Sequence, residues 1–129
     1  MAKILIVEDD VQTSSMVAKA LGAKGYRTRI ESNGAAALLA AHEDLPDVIL
    51  MDLMTPILEG EDVLHALRHD PRTAHIPVVI LSGRSDTLAL AGAITAGANV
   101  YLVKPPDLHA LYAVVERLAT LTPKDTASS

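Results

Sequence analysis

The chain has no cysteine, tryptophan or phenylalanine, and its only aromatic residues are Tyr26, Tyr101 and Tyr112. Without cysteine there are no disulfides and no thiol chemistry, which fits a reducing cytosol and gives a cytoplasmic expectation. So few aromatics argue against a platform for stacking nucleic-acid bases. No basic block offsets the net charge of −5, so neither nucleic acid nor an anionic membrane is an expected partner. No apolar stretch approaches the ~20 residues of a membrane span. Met1-Ala2-Lys3 leads straight into a strand pattern, without signal-peptide architecture. What is present is apolar character at half of the 129 positions, enough for one packed core. The expected domain covers residues 1–121, and the polar stretch Thr122–Ser129 reads as a frayed tail.

Four apolar runs each lead into a polar group. Ile4-Leu5-Ile6-Val7 meets Glu8-Asp9-Asp10, and Val48-Ile49-Leu50-Met51 meets Asp52. Val78-Val79-Ile80-Leu81 meets Ser82, and Val100-Tyr101-Leu102-Val103 meets Lys104. Helical patterns separate these runs: Val11–Lys24 with Gly25 as its stop, Gly34–Glu43, Gly60–Arg68, and a segment from a Ser85 cap to Ala96 closed by Gly97. A fifth helix, capped by Asp107, presents Leu108, Leu111, Val115 and Leu118 at helical spacing. A further strand, Tyr26–Glu31, is polar enough to sit at a sheet edge. The other four read as strands covered on both faces. Five βα units with short loops make an α/β, doubly wound parallel sheet. Ligands of such sheets bind beyond the carboxyl ends of the strands.

At that edge Glu8, Asp9 and Asp52 bring three carboxylates together. At about 4 Å and an effective dielectric near 20, each like-charged pair costs on the order of 4 kcal/mol. Such a cluster needs a cation, and all-oxygen ligands suit Mg²⁺. Lys104 adds positive charge and Ser82 a hydroxyl. A carboxylate facing a metal, a lysine and a hydroxyl suits phosphoryl transfer, with the carboxylate as nucleophile. No residue is placed as a general base for water, so the expected product is a stored acyl phosphate. Structural readings compete at several positions. Asp52 and Ser82 are also ordinary helix caps, Asp10 reads as a dipole-favoured acid at a helix start, and Tyr101 also fits plain packing. His65 and His69 lie four apart but lack further metal ligands and read as surface, as do His42, His75 and His109.

Five fragments in order resemble the receiver domain of two-component response regulators, over essentially the whole chain. They are Ile4-Leu5-Ile6-Val7-Glu8-Asp9, Met51-Asp52-Leu53-Met54-Thr55-Pro56 with Gly60, Ile80-Leu81-Ser82-Gly83, Ala96-Gly97-Ala98, and Tyr101-Leu102-Val103-Lys104-Pro105. The resemblance implies a flavodoxin-like sheet of order 2-1-3-4-5 with five helices. It implies that Asp52 accepts a phosphoryl group from a sensor histidine kinase or a phosphotransfer protein. Asp9 and Asp52 would ligate Mg²⁺ with the Met54 backbone carbonyl, Glu8 acting through water. Ser82 and Lys104 would contact the phosphoryl group, Ser82 and Tyr101 would switch, and Lys104-Pro105 would be cis. A downstream effector or output domain would read the face of helix four, strand five and helix five. The implied role is a phosphoacceptor, capable at most of self-phosphorylation and slow autodephosphorylation, rather than an enzyme.

Three departures from the family pattern stand out: Pro106 in place of an aromatic residue, Thr55 in place of a large apolar one, and the Met54/Arg84 pair beside the route of attacking water. Rival functions fit less well. An aspartate-nucleophile phosphohydrolase needs a second Asp where Met54 stands. A flavin carrier needs a hydroxyl- and glycine-rich loop where Glu8-Asp9-Asp10 stands. A receiver-like interaction module working without phosphorylation would not need the acidic pair, Asp52, Ser82 and Lys104.

Overall fold

The computed structural model describes residues 2–120; the expected tail, Thr122–Ser129, lies outside the described residues. Five strands alternate with five helices: β1 Lys3–Val7, α1 Val11–Ala23, β2 Arg27–Glu31, α2 Gly34–Asp44, β3 Val48–Met51, α3 Gly60–His69, β4 Val78–Ser82, α4 Thr87–Ala96, β5 Val100–Val103 and α5 Leu108–Ala119. All strand pairs are parallel and the order is β2-β1-β3-β4-β5. Because side chains alternate along a strand, each strand feeds both faces of the sheet. Leu5, Val7, Ile49, Met51, Val78 and Ile80 pack with Ala37, Ala40 and Ala41 of α2, with Val63, Leu64 and Leu67 of α3, and with Ala89, Ala93 and Ala96 of α4. Ile4, Ile6, Val48, Leu50, Val79 and Leu81 pack with Val17 and Leu21 of α1 and with Leu111 and Val115 of α5.

Short polar side chains start the helices where free N–H groups need acceptors. Asp10 accepts from the Thr13 amide, Asn33 from Ala36, and Asp107 from His109 and Ala110. In α4 the expected Ser85 cap is corrected to Asp86, whose carboxylate accepts from the Ala89 amide at 2.8 Å. An anion at this position also meets the positive end of the helix dipole. Helix α3 has no side-chain cap bond, but Glu61 and Asp62 open it and Arg68 and His69 close it, matching the dipole at both ends.

Two burial expectations also change. Strand β5 is only partly buried because it forms the second edge of the sheet, so β3 and β4 are buried throughout and β1 from Ile4 onward. Leu108, at the first position of α5, is exposed, while Leu111 and Val115 carry the inward stripe. His42 is exposed but not isolated: its Nδ1 lies 2.9 Å from an Asp70 carboxylate oxygen. His69 donates Nδ1–H to the His65 carbonyl (2.7 Å).

One arginine ties two connections together, α3–β4 and α4–β5. Arg68, at the end of α3, donates to the carbonyls of Ala74 (3.1 Å), Ile76 (2.7 Å) and Gly97 (3.1 and 2.8 Å), and to the Asn99 side-chain oxygen (3.0 Å). The same Asn99 oxygen accepts from the Val78 amide. Burial lowers the Arg68 pKa, and among the described residues no carboxylate pairs with it. Gly97 adopts φ +118°, and a Cβ there would stand 2.8 Å from Arg68 Cγ. Glycine is required both for the conformation and for the close approach. Arg68→Met removes every donor while leaving the carbonyls in place. It is expected to cost about 2–3 kcal/mol, read as a lower urea midpoint at unchanged slope.

Candidate functional site

The parallel register aligns the strand ends. Val7 pairs with Met51, Met51 with Ile80, and Ile80 with Tyr101. The chain therefore leaves β1 at Glu8 and β3 at Asp52 side by side, with the Asp52 amide donating to the Val7 carbonyl at 3.1 Å. Ser82 closes β4, and its carbonyl accepts from the Lys104 amide at 2.8 Å. The Lys104-Pro105 bond is cis. After β3 the chain turns tightly through Pro56–Leu58, with Ile57 at φ 71° and the Leu58 amide on the Pro56 carbonyl at 2.8 Å. Thr55 is buried there and donates its hydroxyl to the Leu58 carbonyl at 2.5 Å. Threonine thus replaces the large apolar residue of the family pattern by bonding where the other would pack. Gly60 then brings α3 so close to Leu53 that a Cβ would lie 2.7 Å from the Leu53 Cα.

Glu8 and Asp52 are both buried, whereas Asp9 is exposed. Each of the three offers a carboxylate oxygen, and these oxygens lie within 4.8 Å of one another. Lys104 is the local counter-charge. Its Nζ donates to Asp52 Oδ2 at 2.7 Å and to Glu8 Oε1. The remaining oxygens are also engaged: Asp52 Oδ1 accepts from the Met54 amide (2.9 Å) and Glu8 Oε2 from the Asp10 amide (3.1 Å). Burial alone would lower the Lys104 pKa, but the hydrogen bonds and charges of Asp52 and Glu8 outweigh it and hold the ammonium above the ordinary lysine value. Asp10 belongs to the α1 cap, where the Thr13 hydroxyl and amide hold its carboxyl below the usual range. One ammonium among three carboxylates leaves an excess of negative charge in an all-oxygen donor set, the chemistry that suits Mg²⁺.

Ser82 is fully buried, and its hydroxyl oxygen accepts from the Arg84 amide at 3.2 Å. Tyr101 is half-buried, its hydroxyl donating to the Arg84 carbonyl at 2.7 Å. The Met54 side chain faces solvent, 61% exposed. Glu8, Asp9, Asp52 and Lys104 thus converge, while Ser82 and Tyr101 are linked through Arg84. Two features escaped the sequence. The Lys104–Glu8 bond was foreshadowed only by a lone cation among acids. The Arg84 carbonyl, as a main-chain acceptor, carries no side-chain signature at all.

The sequence model of the family described as "Response regulator receiver domain" matches residues 4–116. The chain belongs to this family. Among relatives, the response regulator PleD of Caulobacter vibrioides is 38% identical over 120 residues, covering 91% of this chain and 26% of PleD. The DNA-binding response regulator MtrA of Mycobacterium tuberculosis is 36% identical over 103 residues, covering 80% of this chain and 44% of MtrA. The chain therefore spans less than half the length of these relatives. Among solved structures, the receiver domain of a Pseudomonas aeruginosa sensor histidine kinase superposes with a TM-score of 0.86 at 27% identity. That match covers 92% of this chain and 97% of the other, and in that structure a magnesium ion is coordinated in the active-site cleft. The Vibrio cholerae chemotaxis regulator CheY4 gives a TM-score of 0.85 at 28% identity, covering 92% and 98%. The receiver fold, a five-stranded parallel sheet of order 2-1-3-4-5 with five helices, is the one observed here. Among the described residues, no helix is long and apolar enough to cross a membrane.

Lys104→Met leaves two buried carboxylates without their cation. In metal-free buffer it is expected to lose about 3–5 kcal/mol, the range for breaking a buried pair by removing one partner, measured by chemical denaturation. The direction with pH follows from the raised pKa of Lys104. The wild-type advantage over Lys104→Met should be complete below the ordinary lysine value and shrink as alkaline pH deprotonates the folded-state ammonium. An advantage that grows with alkaline pH would contradict the assignment.

Proposed function

We propose that this receiver domain is a phosphorylation switch in which Asp52 is the acceptor. The observation that carries the reading is the Lys104 ammonium held between Asp52 and Glu8, with the Asp9 carboxylate in reach. In the reaction an Asp52 carboxylate oxygen attacks the phosphorus of a phosphohistidine on a sensor histidine kinase or phosphotransfer protein. The P–N bond breaks, its electron pair stays with the imidazole, and an acyl phosphate forms on Asp52. Lys104 is already within bonding distance of the acceptor and offers its charge to the phosphoryl oxygens. Asp9, Asp52 and the Met54 carbonyl, with Glu8 through water, are the groups assigned to Mg²⁺. When bound there, the ion neutralises phosphoryl charge.

The stored acyl phosphate changes the charge and hydrogen bonding around Asp52. Ser82 stands at the end of the neighbouring strand with a hydroxyl that can donate to a phosphoryl oxygen. Moving it disturbs the Arg84 amide it now accepts from, and Arg84 in turn holds Tyr101. The switch then runs through Ser82, Arg84 and Tyr101 to the surface of α4, β5 and α5, where an effector protein or output domain reads it. This domain works as a signal carrier whose modified state is the message, with slow autodephosphorylation as its reset. The cytoplasm is the compartment consistent with the cysteine-free composition.

Two measurements test the reading. Incubation with phosphoramidate and Mg²⁺ should add one phosphoryl mass to the wild type and none to Asp52→Asn. Addition to Asp52→Asn as well would move the acceptor elsewhere. The exposed apolar Met54 stands beside Asp52 and is expected to slow attack by water. Met54→Asn should therefore shorten the phosphoryl half-life, by about tenfold if the substitution lowers the barrier by about 1.4 kcal/mol. An unchanged half-life would remove Met54 from the mechanism.

A further inference from the structure

The turn between β3 and α3 is held against its own backbone preferences. Ile57 adopts φ 71°, a conformation that a β-branched residue takes up only where its surroundings impose it. Its side chain is 80% exposed, so packing does not offset the strain. Main-chain bonds grip the turn instead. The Leu58 and Gly34 amides both donate to the Pro56 carbonyl, at 2.8 and 3.2 Å, and the Gly60 amide donates to the Leu53 carbonyl at 2.9 Å. One side chain bridges the strained residue from one flank to the other. It is Thr55, whose hydroxyl donates to the Leu58 carbonyl at 2.5 Å.

That carbonyl lies against the start of α2. A Cβ on Gly34 would stand 2.1 Å from the Leu58 oxygen. A carbonyl covered in this way needs an internal donor, and buried Thr55 supplies it. Thr55 is also stiff. It precedes Pro56, which confines its backbone to extended conformations, and its branched Cβ restricts its rotamers. Fixing its hydroxyl therefore fixes the whole residue. The Met54 carbonyl and the Thr55 amide form one planar peptide unit. On the far side of Met54, its amide donates to Asp52 Oδ1 at 2.9 Å. The unit that carries the Met54 oxygen is thus restrained from both directions, by Asp52 before it and by Thr55 after it.

We propose that Thr55 is a positioning residue for the metal: its bond to Leu58 holds the Met54 carbonyl in the orientation that the ion needs. The inference rests on the assignment of Mg²⁺ to Asp9, Asp52 and this carbonyl, with Glu8 through water; the three carboxylates offer oxygens within 4.8 Å of one another. A small rotation of the peptide unit matters there, because Mg²⁺ demands near-octahedral geometry at short range. Thr55 itself touches neither the ion nor a phosphoryl group. It acts through one main-chain oxygen, from the position where the family pattern has a large apolar residue.

Titration of isotope-labelled protein with magnesium chloride, followed by amide chemical shifts, gives the affinity and shows in the same spectra that each variant is folded. Thr55→Val keeps the shape and loses the hydroxyl. It should bind Mg²⁺ about three- to tenfold more weakly than the wild type, the equivalent of about one hydrogen bond. Thr55→Ala, with the same expectation, serves if the valine methyl against the Leu58 carbonyl prevents folding. Thr55→Ser keeps the donor and should stay within about twofold of the wild type. Arg68→Met loosens the fold away from the site and should leave the affinity unchanged, whereas Asp9→Ala should abolish uptake. The positioning role is overturned if Thr55→Val binds as tightly as the wild type, if Thr55→Ser binds as weakly as Thr55→Val, or if Arg68→Met weakens binding equally. If the wild type takes up no Mg²⁺, or Asp9→Ala takes it up as tightly, the metal assignment itself fails and Thr55 has nothing to position.

Discussion

The site depends on the electrostatics of two buried carboxylates. Glu8 and Asp52 lie at adjacent strand ends because the parallel register puts them there, and Lys104 bonds to both. Leaving either acid buried and unpaired would cost several kcal/mol. Much of the surrounding structure serves that pairing. The Met54 and Asp10 amides satisfy the outer oxygens, and the Ser82 carbonyl holds the Lys104 amide so that its side chain reaches across the sheet edge. The result is a site rich in charge and directed bonds, the condition under which electrostatic stabilisation acts most strongly.

Around this fixed centre the fold separates stiff parts from yielding ones. The central strands β1, β3 and β4 are covered on both sides, and their ends carry Glu8, Asp52 and Ser82. The elements beyond β4 are more lightly held: β5 is an edge strand, and α4 presents alanines inward. The proposed switch would draw on this division, since low local stability tends to be found where motion is needed.

Much of this was legible in the sequence, and for identifiable reasons. The apolar runs before Glu8, Asp52, Ser82 and Lys104 fixed both the strands and the edge where polar groups gather, because period and β-rich composition report burial directly. The Tyr26–Glu31 segment was placed at an edge by its arginines. The order 2-1-3-4-5 implied by the resemblance already placed β5 at an edge, but its partial burial was not legible in Val100–Val103, which looks like any interior strand. The Asp86 cap was missed in favour of the adjacent Ser85, since both residue types cap well. Arg68 looked like an ordinary helix-end cation, and its partners are carbonyls, which every residue possesses. What a side chain must avoid is written in its neighbours, whereas which main-chain oxygen it finds is settled only in three dimensions.

The bond between Lys104 and Glu8 joins residues 96 positions apart, and that between Lys104 and Asp52 spans 52. During synthesis the two acids leave the ribosome well before their cation. Until β5 docks, they lack the Lys104 cation, and a chain truncated before Lys104 would keep every carboxylate of the site without the ammonium that pairs with them. The charge pair therefore works as a closing clasp: the site takes its final form only when the last strand of the sheet is in place.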